Sequence, residues 1–532
     1  MQSKKLNSLP LYMKVTKEKK NGIVYTPAWI VNLILDKVEY KNDIYNKKII
    51  DPSCGEGNFL ITVVERFLKN CKRNKLNVTK IKELLWNNIY GFDIDEIALT
   101  KCKKNLDKVI QSYGINKVKW NILSVDSLDK NKVKNYFSCF DYVIGNPPYI
   151  RIQHLGEERR KKIQLEWSFC KNGSTDIYIA FFELGLKLLN DTGKLGYITP
   201  NTFFKTETAR ILRYYLMEKK LIKEIIDFNY HQVFNNATTY SAITILDKKW
   251  GKNKFYYYNG NKENIKYVDE IELSNLSYKK WTLASDNILR KIKEIETRGM
   301  PLGKIAKIHV GITTLADNFY IFKDPVVEGN KAVIKLKDGR EFTIERSILK
   351  PIIKVSILKS SNEEQNRYII FPYKKVNRKN VIIPEGELKD LYPYTYKYFL
   401  AIKERLLLRD KGKQNTVAWY AFGRSQGLDT SFGKKILISP LSLKPNFIVW
   451  GKEEYTFYAG YCIKFDGDLH WLTNQLNSED MEFYIKYVAR DYQNGYKSYA
   501  KSFISNFGII GYKRKMKNLH FELARFCEGV KQ

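Results

Sequence analysis

The sequence predicts an α/β protein, and three observations carry that reading. Short apolar runs at Lys48–Asp51, Ile89–Asp95 and Trp120–Asp126 each close on a carboxylate, as a buried strand with a polar tip does. The first leads through Pro52-Ser-Cys-Gly55-Glu-Gly57-Asn-Phe59 into the helical apolar spacing of residues 60–68. A fourth run, beginning at Asp141, is halted by Asn146-Pro147-Pro148-Tyr149, because neither proline can donate to a ladder. Strand, Gly-x-Gly turn and helix open a Rossmann-like nucleotide-binding unit, and in an open α/β sheet ligands gather at the carboxyl ends of the strands.

The chain of 532 residues has room for two or three domains. Lys and Arg number 91 against 57 Asp and Glu, a formal net charge of +34, and that excess calls for a polyanionic partner, nucleic acid first of all. Seven scattered cysteines without a Cys-x-x-Cys pair point to a reducing cytoplasm, and five dispersed histidines give no metal-ligand pattern. No apolar stretch is long enough to cross a bilayer, and Met1–Asn21 is too polar for a signal peptide. A soluble bacterial protein of the cytoplasm, associated with the nucleoid and with no membrane partner, is expected.

Taken in order, residues 1–20 read as a polar, Lys-rich arm. Tyr25-Thr26-Pro27 then precedes the helical spacing of Ile30, Val31, Ile34, Leu35 and Val38, with Thr26 placed to cap and Pro27 suited to the first turn. The free N–H groups of such a helix start can seat a carboxylate, although ordinary capping explains the same residues equally well. Gly55 and Gly57 let the backbone approach a ligand closely. The third glycine of the dinucleotide fingerprint is missing and no Gly-Lys-Ser/Thr follows, so the ligand's charged end is expected to be an amino-acid group rather than a pyrophosphate. Cys54 reads as a small buried residue of the turn. Asp93 is placed to accept both hydroxyls of a ribose, and Asp95 to cap the helix that follows. Asp126, at the third strand end, suits an adenine amino group, while strand-end aspartates often serve only as caps. Residues 151–170 form a polar, basic loop with Arg159, Arg160, Lys161 and Lys162, either solvated or touching phosphate. An amphipathic helix over 176–189, a turn at Asp191-Thr-Gly193-Lys and a strand at Leu195–Pro200 come next, and Gln232–Phe234 with Tyr240–Leu246 forms the final edge hairpin.

The chemistry lies in the turn after the fourth strand. Asn146 Oδ1 and the Pro147 carbonyl can each accept one hydrogen of a planar amino group, and Tyr149 can stack on the ring that carries it. The lone pair of such an amine is delocalised and a poor nucleophile. Two acceptors aimed at its hydrogens favour a more tetrahedral nitrogen that can attack an electrophilic methyl, with no metal and no covalent nucleophile. Asn-Pro-Pro-Tyr is also an ordinary turn. Its place after an Asp-led strand and downstream of the glycine turn favours the chemical reading.

Tyr25-Thr26-Pro27, Asp51-Pro-Ser53-Cys-Gly55-Glu-Gly57-Asn-Phe59, Gly91-Phe-Asp93-Ile-Asp95 and Asn146-Pro-Pro-Tyr149, in that order, resemble the motifs of the amino-methylating DNA methyltransferases. The likeness is to the N6-adenine enzymes whose cofactor motifs precede Asn-Pro-Pro-Tyr. It implies an S-adenosylmethionine-dependent catalytic domain over 21–250 with a mixed seven-stranded sheet, a linker over 251–300, and an α+β target-recognition domain over 301–532. It further implies that Thr26 and the Gly55–Gly57 turn hold the methionine part of the cofactor, with Tyr25, Asp51 and Ser53 in the same set. Asp93 would then hold the ribose, Asp126 and Ser127 the adenine, and Phe181 would line the pocket. Phe234 matches the aromatic that faces Tyr149 across a flipped adenine.

In the C-terminal region Gly303–Ile312, Trp419–Gln426 and Asn494–Ser502 resemble segments of the same group's recognition domains. Independently, Arg424 and Gln426 match guanine and adenine edges. Tyr496, Lys497, Tyr499 and Lys501 interleave rings and cations as a nucleic-acid groove would, and Lys513–Lys517 adds a basic run.

The resemblance implies a site-specific methyltransferase acting on the N6 amine of a flipped adenine in double-stranded DNA, the modification component of a restriction-modification system or an orphan methylase. A C5-cytosine enzyme is disfavoured because no Pro-Cys dipeptide occurs, and Asn rather than Ser or Asp before Pro-Pro-Tyr argues against N4-cytosine. Protein-glutamine or RNA N-methylation, and a non-catalytic DNA-binding specificity module, are the alternatives. The short N-terminal arm leaves no room for a fused nuclease, so a cognate restriction endonuclease as a separate partner and an orphan regulatory role are both open.

Overall fold

The structure, a computed structural model, describes residues 26–171, 173, 175–229, 231–234 and 240–512. It falls into two units, one through Leu289 and one from Arg290 onward.

The first unit is built on one sheet of β1 (Ile49–Asp51), β2 (Ile89–Asp93), β3 (Asn121–Ser124), β4 (Phe140–Gly145), β5 (Leu189–Pro200), β6 (Ile222–Asp227), β7 (Ser241–Asp247), β8 (Lys254–Gly260) and β9 (Ile265–Glu272). The order across the sheet is β3-β2-β1-β4-β5-β7-β6-β8-β9. From β3 to β5 every neighbouring pair is parallel. β7 runs antiparallel to both β5 and β6, which makes the sheet mixed. The strand order reverses between β1 and β4, and a crevice opens at the carboxyl ends of such a pair.

Three sequence expectations change here. The sheet has nine strands rather than seven. Residues read as linker supply the extra two, because the Phe255-Tyr-Tyr-Tyr258 run is strongly strand-forming and buries Phe255 and Tyr257. The expected edge hairpin is not at the edge, since β7 is buried at every position and its hairpin partner is β6. A run buried on both faces belongs in the middle of a sheet. The turn at 191–194 lies inside β5. Pairing with β4 jumps from Phe140↔Leu189 to Tyr142↔Lys194, and the residues between bulge out with Asn190 Oδ1 accepting the Thr192 N–H at 3.0 Å.

Helices cover both faces. Ala28–Lys37 turns Ile30, Val31, Ile34 and Leu35 inward, and Asn58–Arg73 packs Phe59, Val63 and Phe67 into the same core. Asp95 caps Glu96–Gln111, as expected, accepting N–H bonds from Ile97 at 2.9 Å and Ala98 at 3.2 Å. Tyr178–Leu188 and Arg210–Glu218 pack on the other face around Phe182, Leu212 and Trp281.

The second unit is α+β. Lys307–Val310, Tyr461–Lys464, Lys435–Ile438 and Ile448–Trp450 form one antiparallel sheet. The helix Pro393–Leu407 buries Tyr398, Phe399 and Ile402 in a separate core. Among the described residues no helix is long and apolar enough to cross a membrane.

Candidate active site

Each of the first three strands ends at or near an aspartate. Asp51, 1% exposed, closes β1 and accepts the Ser53 N–H at 3.0 Å. Burial pushes its carboxyl up to about 8; the Ser53 N–H opposes that rise and the Asp93 charge adds to it. Asp93 closes β2 and braces the glycine turn: Oδ2 accepts the Gly55 N–H at 2.9 Å, and Oδ1 accepts the Asp95 N–H at 3.0 Å. Asp126 follows β3, with Oδ1 accepting the Leu128 N–H at 3.1 Å and Oδ2 3.1 Å from the Arg159 guanidinium. Ser127 is buried and donates its hydroxyl to the Pro52 carbonyl at 2.6 Å, so it fastens the turn from beneath.

The two glycines of the turn do different things. Gly57 has φ +91°, and a Cβ there would stand 2.7 Å from Cys102 Sγ, so this position is needed for close packing against the helix behind it. Gly55 has φ +52°, and a Cβ there would meet nothing within 4 Å, which marks open space over the turn.

At the tip of β4, Gly145 has φ +151°, and a Cβ on it would lie 2.7 Å from Asp51 Oδ1. The backbone leading into Asn146 therefore runs against the Asp51 carboxyl. Asn146 Nδ2 donates to Thr26 Oγ1 at 3.0 Å, and Asn146 Oδ1 accepts the Tyr149 hydroxyl at 2.5 Å. Thr26 is not the helix cap expected from sequence. Pro27 holds the cap position without a side-chain bond, and the Thr26 hydroxyl is turned to Asn146 instead. Pro147 is buried and Pro148 half-buried. The Tyr149 ring packs edge-on to Tyr178, centroids 6.2 Å apart at 79°, with its hydroxyl 3.3 Å from the Ile198 carbonyl. Burial pushes its phenol well up, with Tyr178 adding to the shift.

Other candidates lie apart from this group. Phe181 sits in the core with Phe92 and Leu128, and Phe234 in the opposite core with Ile226 and Phe228; Tyr149 packs against both clusters. Tyr25 and Lys513–Lys517 fall outside the described residues. Arg424 and Gln426 are exposed in the second unit, and Arg424 is ion-paired to Asp410 at 2.9 Å. Their loop is held against a neighbouring one by Gly423 N–H to the Thr314 carbonyl at 2.9 Å and Arg424 N–H to Thr313 at 3.1 Å. Tyr499 is a correction: it is 1% exposed and packs edge-on to Phe447, so it is core rather than a stacking ring. So are the cations of 159–162, which lie on a helix, Glu157–Glu166, and not in a loop. Arg159 pairs with Asp126, Lys161 with Glu157 and Lys162 with Asp129. Sequence reasoning passed over Gly145, for which the only signal was its place immediately before Asn146, and missed the Arg159 pairing, which had none.

The donor set suits a nucleoside with a cationic amino-acid tail. The Asp93 and Asp126 carboxyl groups retain lone pairs beyond their backbone partners, while the Lys101 ammonium near the glycine turn is held by Glu56 at 2.7 Å and leaves little positive charge for a phosphate.

Residues 87–234, from β2 through the Asn146 turn to Phe234, match the profile of the Eco57I restriction-modification methylase family. That segment resembles a restriction-modification methylase domain. It is 29% identical to the type II restriction enzyme and methyltransferase RM.Eco57I of Escherichia coli, across 79% of the chain and 49% of that protein, and so spans about half of that relative's length. It is 26% identical to the type II methyltransferase M.BstVI of Geobacillus stearothermophilus, across 75% of the chain and 74% of that protein. Among solved structures, the type IIL restriction-modification enzyme MmeI in complex with DNA shares the fold of this chain at a TM-score of 0.59 and 13% identity, covering 90% of this chain and 63% of that one.

Proposed function

We propose that the methylase domain transfers a methyl group from S-adenosylmethionine to the N6 amine of an adenine rotated out of double-stranded DNA, as the modification activity of a restriction-modification system. One observation carries this reading: the Asn146 amide, bonded to Thr26 and Tyr149, stands at a strand tip whose Gly145 abuts the Asp51 carboxyl beside the glycine turn. The family match and the methyltransferase relatives support it.

When bound, the cofactor supplies an electrophilic methyl on a cationic sulfur. Asp93 and Asp126 each keep lone pairs beyond those taken by backbone N–H groups, for ribose hydroxyls and an adenine amine respectively. Asn146 Oδ1 and the Pro147 carbonyl take the two hydrogens of the target amine and stabilise the charge that develops on its nitrogen. The Tyr149 hydroxyl yields Oδ1 as that amine arrives, and its ring remains to stack. Extruding the base costs a few kcal/mol, and stacking on Tyr149 offsets it by roughly 1–3 kcal/mol. Arg424 and Gln426 read the target sequence.

The test is expression of the chain in a methylation-free host, followed by long-read sequencing of the host DNA. N6-methyladenine at one short motif is expected. N4-methylcytosine, or label from tritiated cofactor entering release-factor protein and not DNA, overturns the reading. Asn146→Ala should lower kcat by about 100- to 1000-fold and leave cofactor affinity nearly intact, measured by single-turnover kinetics and calorimetry.

A further inference from the structure

The helix Glu157–Glu166 follows the Asn146–Tyr149 turn in the chain, yet it is tied to the segment just past β3. Arg159 Nη2 lies 3.1 Å from Asp126 Oδ2, Lys162 Nζ 3.0 Å from Asp129 Oδ2, and Glu166 Oε2 accepts the Lys130 N–H at 3.2 Å. Ile163 is the residue this helix buries, so apolar packing sets one point of contact and polar ties set the rest.

Asp126 receives a different hold on each oxygen. The Leu128 N–H takes Oδ1 and the Arg159 guanidinium takes Oδ2. A carboxylate turns easily about its last torsion. A hydrogen bond on one oxygen and a guanidinium beside the other bias its plane, and lone-pair sites remain for a ligand. The Arg159 contact is an ion pair that draws Oδ2 toward the guanidinium. The Arg159 side chain is 43% exposed, so the contact contributes aim rather than bulk stability.

Resting on the reading of Asp126 as the acceptor for the cofactor's adenine amine, we propose that Arg159 is a positioning residue for adenine recognition, holding the Asp126 carboxylate in the plane that meets N6. The consequence is selectivity. The six-position of adenine donates a hydrogen bond and that of hypoxanthine accepts one. A carboxylate held in plane rewards the first and repels the second, whereas a loosened one turns aside and admits water.

The experiment measures binding of S-adenosylhomocysteine and S-inosylhomocysteine to the full chain by calorimetry. Wild type should prefer the adenosyl ligand by about ten- to a hundred-fold, the worth of one hydrogen bond to a charged group. Arg159→Gln should cut that ratio several-fold, Arg159→Lys should restore most of it, and Lys162→Gln, which severs another tie of the same helix, should leave it unchanged. A wild-type ratio in Arg159→Gln with a lost ratio in Asp126→Asn overturns the inference and leaves the Asp126 reading standing. An unchanged ratio in Asp126→Asn overturns that reading and the inference with it. A ratio that falls equally in Lys162→Gln assigns the effect to helix anchoring and overturns the role of Arg159.

Discussion

Tyr149 occupies the acceptor that a target amine would use, since its hydroxyl donates to Asn146 Oδ1 at 2.5 Å. The ring and the hydroxyl are therefore separable by substitution. Tyr149→Phe keeps the stack and frees Oδ1, and kcat should change less than about ten-fold; Tyr149→Ala removes the stack, roughly 1–3 kcal/mol, and should weaken productive base binding more than Phe does. Steady-state kinetics on a methylatable duplex compares the two. Asp51 gives a pH prediction. Its carboxyl lies at about 8, against an ordinary value of 3.8, because it is buried. Between those values the folded protein binds more protons than the unfolded one, so the free protein's stability falls as pH rises through that window. A cationic ligand beside the carboxyl favours its charged form, so cofactor affinity should rise with pH up to about 8 with proton release, and Asp51→Asn should flatten the dependence. Calorimetry in two buffers of different ionisation heat measures the protons. The strand-end places of Asn146 and Asp93 were legible because an apolar run that closes on a polar residue marks them. The Thr26–Asn146 bond and the Arg159–Asp126 pair were not, because each joins segments that only the fold brings together.

Strands and helices show where pattern succeeds. Apolar runs, three closed by carboxylates and one by Asn146-Pro147-Pro148, identified β1 to β4, and the Asp95 cap was readable from its spacing to the helix. β7 was misplaced because a run buried on both faces looks the same at an edge as in the middle, and pairing partners are not written in a strand's own residues. In the second unit the strand Lys435–Ile438 is buried throughout, although it begins with a lysine. Lys435 Nζ donates to the Gly433 carbonyl at 2.8 Å and the Tyr455 carbonyl at 2.7 Å. Burial, with Lys464 nearby, lowers its ammonium to about 7 from 10.5. The unfolded chain then binds more protons between those values, so stability should rise as pH climbs from about 7 to 10.5. Thermal melts across that range should show the gain in wild type and its loss in Lys435→Met.

Across the whole chain, the net charge of +34 predicts strongly salt-dependent DNA binding. The logarithm of the binding constant should fall linearly with that of salt, with a slope of about −0.9 for each phosphate contacted, and a flat dependence in a filter-binding titration would contradict the charge argument. Composition foretold the charge but not its distribution, since Lys161, Lys162 and Arg424 are engaged by acidic neighbours, and Tyr499 proved to be core.

β8 and β9 alter how a catalytic fragment must be cut. β8 pairs along β6, Trp281 is fully buried in the core with its backbone N–H on the Phe204 carbonyl, and Arg213 grips the carbonyls of Tyr278 and Lys279. A fragment ending at residue 250, just past the last motif, would leave a bare ladder along β6, an empty seat for an indole and a buried guanidinium stripped of its Tyr278 and Lys279 carbonyls while it keeps those of Phe203 and Thr206. Such a truncation should self-associate through the exposed strand, whereas one carried to Leu289 keeps its flank closed.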